Sequence, residues 1–391
     1  MRVIFCLGSM TKGGAERVVA NLSNWLCKDN EVGIIVTPPD ESSYTLDEKI
    51  KYMTLDFYKE KKQNILLRNF KRVKRLKNYI KEFNPDIVLT FLPEPSYRIL
   101  FLKPFIKKKV IVSVRNDPKI EYKKWYNKLI MKMLYKKADG FVFQTEEAKE
   151  FFSKTIQNKS VVIPNPINPI FISTPYTGER DKTIVTVGRL EEQKNQKLLI
   201  NAFSKIENSI PEYKLLIYGI GSMEKELKNY VYKTGIDKKI LFKGQKEDIK
   251  KEIYKSGLFV LSSDYEGMPN ALMEAMALGL PCVSTDCPCG GPRFLIKNDE
   301  NGILVPVNDE EKMAEAILRV INNKEFANKL SSEATKIKEL VNPQKINNDW
   351  LDYIKKIISK WVGKYELLLY VVSSVLYTNI VQHKKIRFSK S

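Results

Sequence analysis

The chain has 391 residues, 43% of them hydrophobic, enough for two cores of ordinary size; this excludes a disordered or fibrous protein and makes two domains the expectation. Its single histidine, His383, leaves almost no room for histidine triads, zinc sites or His general bases, so chemistry falls to carboxylates, Arg, Lys and backbone amides. A formal net charge of +20 calls for an anionic partner, whether nucleic acid, acidic lipid or phosphorylated substrate.

The chain opens on Met1-Arg2-Val3-Ile4-Phe5-Cys6-Leu7, an apolar run that reads as a strand and lacks the basic region, long apolar core and cleavage site of a signal peptide. A place inside the cell is expected. Apolar strands and amphipathic helices then alternate through Ala15 to Cys27, Val32 to Thr37, Asp86 to Phe91, Val110 to Val114 and Gly140 to Gln144, the pattern of a parallel sheet covered by helices. Between them, Leu66, Phe70, Val73, Leu76, Ile80 and Phe83 recur at helical spacing, with Arg68, Lys71, Arg72, Lys74, Arg75, Lys77 and Lys81 filling the remaining faces. A second basic stretch mixes Trp125 and Tyr126 with Lys123, Lys124, Lys128, Lys132, Lys136 and Lys137. Aromatics beside lysines suit a membrane interface, so an anionic membrane surface is the expected partner and nucleic acid is not.

Three prolines in Ile163-Pro164-Asn165-Pro166-Ile167-Asn168-Pro169 forbid a helix and mark a break. The alternation restarts beyond it: Thr183 to Val187, Asn195 to Ile206, Lys214 to Tyr218, Ile240 to Phe242, Leu258 to Ser262, Asn270 to Leu278, Pro281 to Thr285 and Gly302 to Val305. The expected organisation is two tandem Rossmann-like doubly wound domains facing a central cleft. Residues 1–165 form the first domain, 166–181 a linker and 182–346 the second domain, with 347–391 a helix returning to the first domain and an apolar, basic tail. Within that tail Leu367 to Val381 is shorter than the roughly 20 residues that cross a bilayer, which leaves an interfacial anchor or a buried helix. The five cysteines, Cys6, Cys27, Cys282, Cys287 and Cys289, include no Cys-x-x-Cys pair and read as thiols of a reducing compartment, and no metal site is assigned.

Three loops carry the chemistry. In Ser263-Asp264-Tyr265-Glu266-Gly267-Met268-Pro269-Asn270-Ala271-Leu272-Met273-Glu274, a strand passes through a Gly and Pro turn into a helix whose free amides and dipole favour an anion. Glu266 falls on the loop and Glu274 about one turn inside the helix, so that both can face one cleft. In Thr186-Val187-Gly188-Arg189-Leu190-Glu191-Glu192-Gln193-Lys194-Asn195, Arg189 offers a two-pronged fork and Lys194 a point charge, the two cationic modes suited to a diphosphate. Gly8-Ser9-Met10-Thr11-Lys12-Gly13-Gly14-Ala15-Glu16-Arg17 is a glycine-rich strand-to-helix turn without the dinucleotide spacing.

Together these motifs resemble the family 4 retaining glycosyltransferases (glycosyl transferases group 1) of the two-Rossmann-domain GT-B fold, over about Met1 to Ile358 and including Val162-Ile163-Pro164-Asn165-Pro166. The resemblance implies transfer of a sugar from a nucleotide-sugar donor, UDP-linked by expectation, to a glycan or polyprenyl-diphosphate-linked acceptor in bacterial surface polysaccharide synthesis, on the inner face of the membrane. It implies donor binding by Gly188, Arg189, Lys194, Glu266, Gly267, Met268, Pro269, Asn270, Ala271 and Glu274. Glu274 would hold the ribose, Glu266 would lie by the sugar, and Arg189 and Lys194 would stabilise the leaving diphosphate; Glu266, Arg189 and Lys194 are the catalytic candidates. Gly13 and Gly14 would line the cleft from the acceptor side. Where many members carry a histidine this chain has Ser113-Val114-Arg115-Asn116-Asp117-Pro118, which makes Arg115, Asn116 and Asp117 the acceptor-side candidates, and Phe294 stands where the family usually has Glu. No Asp-x-Asp motif is present, so no cofactor or metal is required. A sugar-nucleotide epimerase of the same shape and a basic nucleic-acid-binding protein are the competing expectations.

Overall fold

The computed structural model describes residues 1–11, 13–38, 42–57 and 64–359, and the tail segment Leu367 to Val381 lies outside them. Seven strands come first: β1 (Arg2–Cys6), β2 (Glu31–Val36), β3 (Lys51–Thr54), β4 (Ile87–Phe91), β5 (Lys109–Ser113), β6 (Gly140–Phe143) and β7 (Ser160–Val162). They form one parallel sheet in the order β3-β2-β1-β4-β5-β6-β7. Six more follow: β8 (Asp181–Val187), β9 (Lys214–Tyr218), β10 (Ile240–Gly244), β11 (Ser256–Leu261), β12 (Cys282–Thr285) and β13 (Ile303–Val305). These make a second parallel sheet ordered β10-β9-β8-β11-β12-β13.

Both sheets are buried on two faces, which is why their strands read as apolar runs with little alternation. The two-residue period still sorts the side chains: Val3 and Phe5 enter one cluster and Ile4 and Cys6 the other. In β11, Leu258 and Val260 face one core while Phe259 and Leu261 face its opposite. Each such side chain, fully buried, stabilises the fold by about 1.5–3 kcal/mol relative to exposure.

The strand order reverses between β1 and β4 in the first sheet and between β8 and β11 in the second. Loops leaving the carboxyl ends of strands at such switch points diverge and open a crevice. Three of those loops are the glycine-rich turn at residues 8–13, the Gly188 to Asn195 segment and the Ser262 to Pro269 segment.

After β13 and its helices the chain returns to the first sheet, where Ile346, Trp350, Tyr353, Ile354 and Ile357 of helix 343–359 join the core around Phe5 and Phe91. The Tyr353 hydroxyl accepts from Phe141 N (3.0 Å) and donates to Lys159 O (2.6 Å), fastening that helix to β6.

Helix Ile65–Phe83 departs from its sequence pattern. Leu76, Ile80 and Phe83 are buried, whereas Leu66 and Phe70 stand 76% and 69% exposed, because only the second half of the helix lies on the sheet core. Arg72 and Arg75 also turn inward, Arg72 onto the Asp56 carboxylate and Arg75 onto Leu55 O at 2.7 Å, so they do not belong to the outer cationic face.

Candidate active site

The helix Asn270–Ala277 starts immediately after Pro269, whose φ of −76° suits the residue ahead of a first turn. The loop before it is clamped. Glu266 donates its N–H to Pro288 O (2.7 Å) and accepts at its carbonyl from Cys289 N (3.0 Å), so residues 288 and 289 hold it from beneath. Its side chain is buried, and Oε1 accepts from the Ser263 hydroxyl (2.7 Å) and from the Lys194 ammonium. The buried Glu266 carboxylate is thus paired with a cation inside the site, Lys194, another of the predicted residues.

Lys194 ends a short 3-10 turn, and Asn195 follows in the left-handed region (φ 41°), where Asn is tolerated better than most residues. From there its Oδ1 caps Leu198 N (3.2 Å), starting helix Gln196–Ile206, and its Nδ2 donates to Asp264 Oδ1 (2.7 Å) and Asn308 Oδ1 (2.9 Å). Gln193 Nε2 donates to Tyr265 O (2.8 Å), Asp264 N to Gln193 O (2.9 Å), and the Ser262 hydroxyl to Lys194 O (2.9 Å). Four hydrogen bonds thereby lock the Gly188–Asn195 loop to the Ser262–Pro269 loop. Arg189 itself is exposed, and its guanidinium makes no hydrogen bond or ion pair among the described residues. Gly188 lies at the base of the same loop, against the Lys194 stem.

Gly267 sits where the two halves of the chain meet. A Cβ there would fall 2.3 Å from Gln144 Oε1 and 2.7 Å from Arg115 O, so only glycine allows this approach. Met268 and Pro269 are buried behind it, and Ala271 is partly exposed. Asn270 Oδ1 accepts from Asn165 Nδ2 (2.9 Å), and its Nδ2 lies 3.2 Å from the Cβ position of Gly14. Gly13 is held by Tyr44, whose hydroxyl accepts from Gly13 N (3.0 Å) and donates to Gly13 O (2.7 Å). The glycine-rich turn of the first domain thus faces the helix start of the second.

Glu274 is also buried and accepts at Oε1 from Arg17 Nη1 at 2.6 Å. Burial pushes its carboxyl above the usual range, and the Arg17 guanidinium draws it back.

The acceptor-side candidates divide. Arg115 is buried, its guanidinium 5.2 Å from the ring centres of both Phe91 and Trp350, with Nη1 donating to Asn165 Oδ1 (3.1 Å). Burial without a carboxylate pulls it down to about 9. Gln144 Nε2 donates to the same Asn165 oxygen (2.7 Å), so Arg115, Gln144, Asn165 and Asn270 form one chain of polar groups across the domain boundary. Asp117 is spent as the cap of helix Pro118–Glu121, accepting from Lys119 N (2.8 Å), while Asn116 is partly exposed. Glu121 lies beside it, pushed up to about 8 by burial and by the Asp117 charge. Sequence reasoning did not select Arg17, Ser263, Gln144, Asn165 or the Pro288–Cys289 backbone. Of these, Arg17 closes the glycine-rich motif, Ser263 opens the Glu266 motif and Asn165 lies in the proline-flanked linker motif, whereas Gln144 and the Pro288–Cys289 backbone carried no motif.

Two family models match the two halves of the chain: Glycosyltransferase Family 4 over residues 12–170 and Glycosyl transferases group 1 over residues 174–337. The chain is a family 4 glycosyltransferase. Two relatives of this glycosyltransferase come from Campylobacter jejuni. One, a GalNAc-alpha-(1->4)-GalNAc-alpha-(1->3)-diNAcBac-PP-undecaprenol alpha-1,4-N-acetyl-D-galactosaminyltransferase, is 26% identical over 91% of this chain and 99% of its own. The other, an N-acetylgalactosamine-N,N'-diacetylbacillosaminyl-diphospho-undecaprenol 4-alpha-N-acetylgalactosaminyltransferase, is 28% identical over 90% and 98%. Among solved structures, Anabaena HepE in complex with UDP and glucose matches with a TM-score of 0.77 at 16% identity, covering 91% of this glycosyltransferase and 100% of that chain. The two parallel sheets are those of the GT-B fold.

Proposed function

We propose that this glycosyltransferase moves a sugar from a UDP-sugar to a polyprenyl-diphosphate-linked glycan, with retention at the anomeric carbon, at an anionic membrane surface. The observation that carries the donor half is the convergence of Lys194, Glu266 and the Asn270 helix start at the second switch point, with Arg189, unpaired among the described residues, on the same loop as Lys194. Arg189 and Lys194 neutralise the diphosphate as the sugar leaves, the amides from Gly267 to Asn270 receive phosphate or sugar oxygens, and Glu266 holds Lys194 in place beside the sugar. The protein's own cations serve where a divalent ion would otherwise bridge the diphosphate. The acceptor half is supported by the names of the Campylobacter relatives, which act on undecaprenyl-diphosphate-linked saccharides.

The membrane is supported by an outer face of the first domain. Helices Ile65–Phe83, Pro93–Ile106 and Trp125–Leu134 pack side by side, and they leave Leu66, Phe70, Phe101, Phe105, Trp125 and Met133 exposed. Lysines interleave with them, Lys77 lying 5.6 Å over the Phe105 ring. Apolar side chains among lysines enter the boundary of an anionic bilayer, each nearby cation adding about 1 kcal/mol. Among the described residues no helix is long and apolar enough to cross a membrane.

The test is a panel of UDP- and GDP-sugars incubated with short undecaprenyl-diphosphate-linked saccharides, read by mass spectrometry of the lipid product and by its anomeric configuration. Transfer from a UDP-sugar with retention is expected. Nucleotide release only to soluble polysaccharide, or an inverted product, refutes the proposal.

A further inference from the structure

Arg17 lies in the first turn of helix Gly14–Leu26, which leaves the glycine-rich turn of the first domain. Its bond to Glu274 at 2.6 Å joins residues 257 positions apart and crosses from one sheet's helix to the other's. The Glu274 side chain is 9% exposed and the Arg17 side chain 25%, so this is a shielded pair rather than a surface one. The pair is one-sided: the guanidinium bond falls on Oε1, and no hydrogen bond to Oε2 is made among the described residues. A carboxylate gripped by one oxygen is held against rotation and presents the other in a fixed direction.

We propose that Arg17 is a positioning residue for the donor, turning Glu274 so that Oε2 receives a ribose hydroxyl of the nucleotide. Because Arg17 belongs to the first domain, the nucleotide site carried by the second domain is complete only while the two domains are together. Donor binding is thereby tied to the geometry in which the acceptor side is also in place. The inference rests on the reading of Glu274 as the ribose-holding residue.

Charge follows from the same geometry. The titratable groups that face Glu274 come from the first domain: Arg17, with Tyr44 and Glu16 close beside it. Behind its own helix the core is apolar, with Leu272, Met273, Met276, Ala334 and Ile337. Burial raises the Glu274 carboxyl and Arg17 is the cation that lowers it, so removing Arg17 lets Glu274 take up a proton at higher pH. A protonated carboxyl is a poorer acceptor for a ribose hydroxyl, and affinity then falls as the pH drops.

The experiment measures UDP and 3′-deoxy-UDP binding to the full chain by calorimetry, between about pH 5 and pH 8, for wild type, Arg17→Ala, Arg17→Gln and Arg17→Lys, with a melting curve for each. Arg17→Gln keeps a hydrogen-bond donor to Oε1 without the charge, and serves if Arg17→Ala fails to fold. Folded Arg17→Ala or Arg17→Gln is expected to bind UDP about tenfold more weakly at neutral pH, and more weakly still toward acid where wild type changes less. Arg17→Lys should recover most of the loss, and the preference for UDP over its 3′-deoxy form should shrink in Arg17→Ala. Affinity equal to or tighter than wild type in the folded variants overturns the inference, as does a weakening that is independent of both pH and the ribose hydroxyl. A Glu274→Ala control separates the two readings. If it leaves UDP affinity unchanged, the ribose role of Glu274 fails; if it weakens UDP while the Arg17 variants do not, only the role of Arg17 fails.

Discussion

Replacing Lys194 by alanine removes the ammonium from Glu266 Oε1 and leaves a carboxylate whose side chain is 7% exposed with only the Ser263 hydroxyl on that oxygen. Two losses are then expected together. Breaking a buried pair by deleting one partner costs about 3–5 kcal/mol of stability, unless the carboxylate escapes by taking a proton. Losing a cation that meets developing charge on the leaving diphosphate costs on the order of a hundredfold to a thousandfold in turnover. The double variant Lys194→Ala with Glu266→Gln separates them, since a neutral amide needs no counter-charge and can still accept from Ser263. Urea midpoints should fall for Lys194→Ala and recover in the double variant, while kcat should stay low in both. Arg189→Ala is the matching control: its guanidinium holds no described partner, so its melting curve should match wild type while kcat drops by a similar factor. Recovery of turnover in the double variant would refute the reasoning, because Lys194 would then matter only as the counter-charge of Glu266.

Gly267→Ala places a methyl group against Gln144 Oε1 and Arg115 O, and overpacking of this kind costs about 1–3 kcal/mol; the urea midpoint and UDP affinity should both fall, and wild-type values for both would show that the domains do not meet at Gly267. For Glu121, the folded carboxyl is raised to about 8, so the fold keeps a proton that the unfolded chain releases from about pH 4.5 upward, and stability declines as pH rises through that window. Glu121→Gln should therefore gain at least about 1 kcal/mol over wild type near pH 8 and little near pH 4, measured by urea titration at both; an equal difference at both ends would contradict a raised carboxyl pKa in the fold. Trp125→Ser with Phe101→Ser should cut binding to phosphatidylglycerol vesicles severalfold at moderate salt while turnover of a short-chain soluble acceptor stays near wild type; unchanged sedimentation with vesicles would show that this face does not enter the membrane.

The strands that lie in the middle of each sheet were legible because burial on both faces demands unbroken apolar runs, as in Val3 to Cys6 and Leu258 to Leu261. The edge strands of the first sheet were not. Lys51–Thr54 and Ser160–Val162 are short and only partly buried, so nothing in their composition sets them apart from loops. Helix Pro93–Ile106 was hidden for another reason: its prolines read as breakers, although the first turn tolerates Pro93 and Pro95 and Pro104 falls in the last turn. Glu266, Glu274, Arg189 and Lys194 announced themselves through local motifs. Their partners could not, since Arg17 meets Glu274 and Asn165 meets Asn270 only after two sheets have formed and approached. Arg115 shows the limit most clearly: its place in the sequence pointed to the open cleft, and its guanidinium is instead packed between Phe91 and a tryptophan from the far end of the chain.

That tryptophan sets an order on synthesis. Phe91 is made early, yet the ring stacked on it at 6.0 Å between centroids is Trp350, and Ile354 and Ile357 fill the same space. While the ribosome is still making the second half, the first sheet has an open apolar slot, and Arg115 has only one of the two rings it packs against. The half that begins first is closed last. A nascent chain can therefore finish its second half before its first is sealed, and a chain cut short ahead of residue 343 would carry a complete second sheet beside a first one exposing the surface that helix 343–359 covers, a ready target for chaperones and proteases.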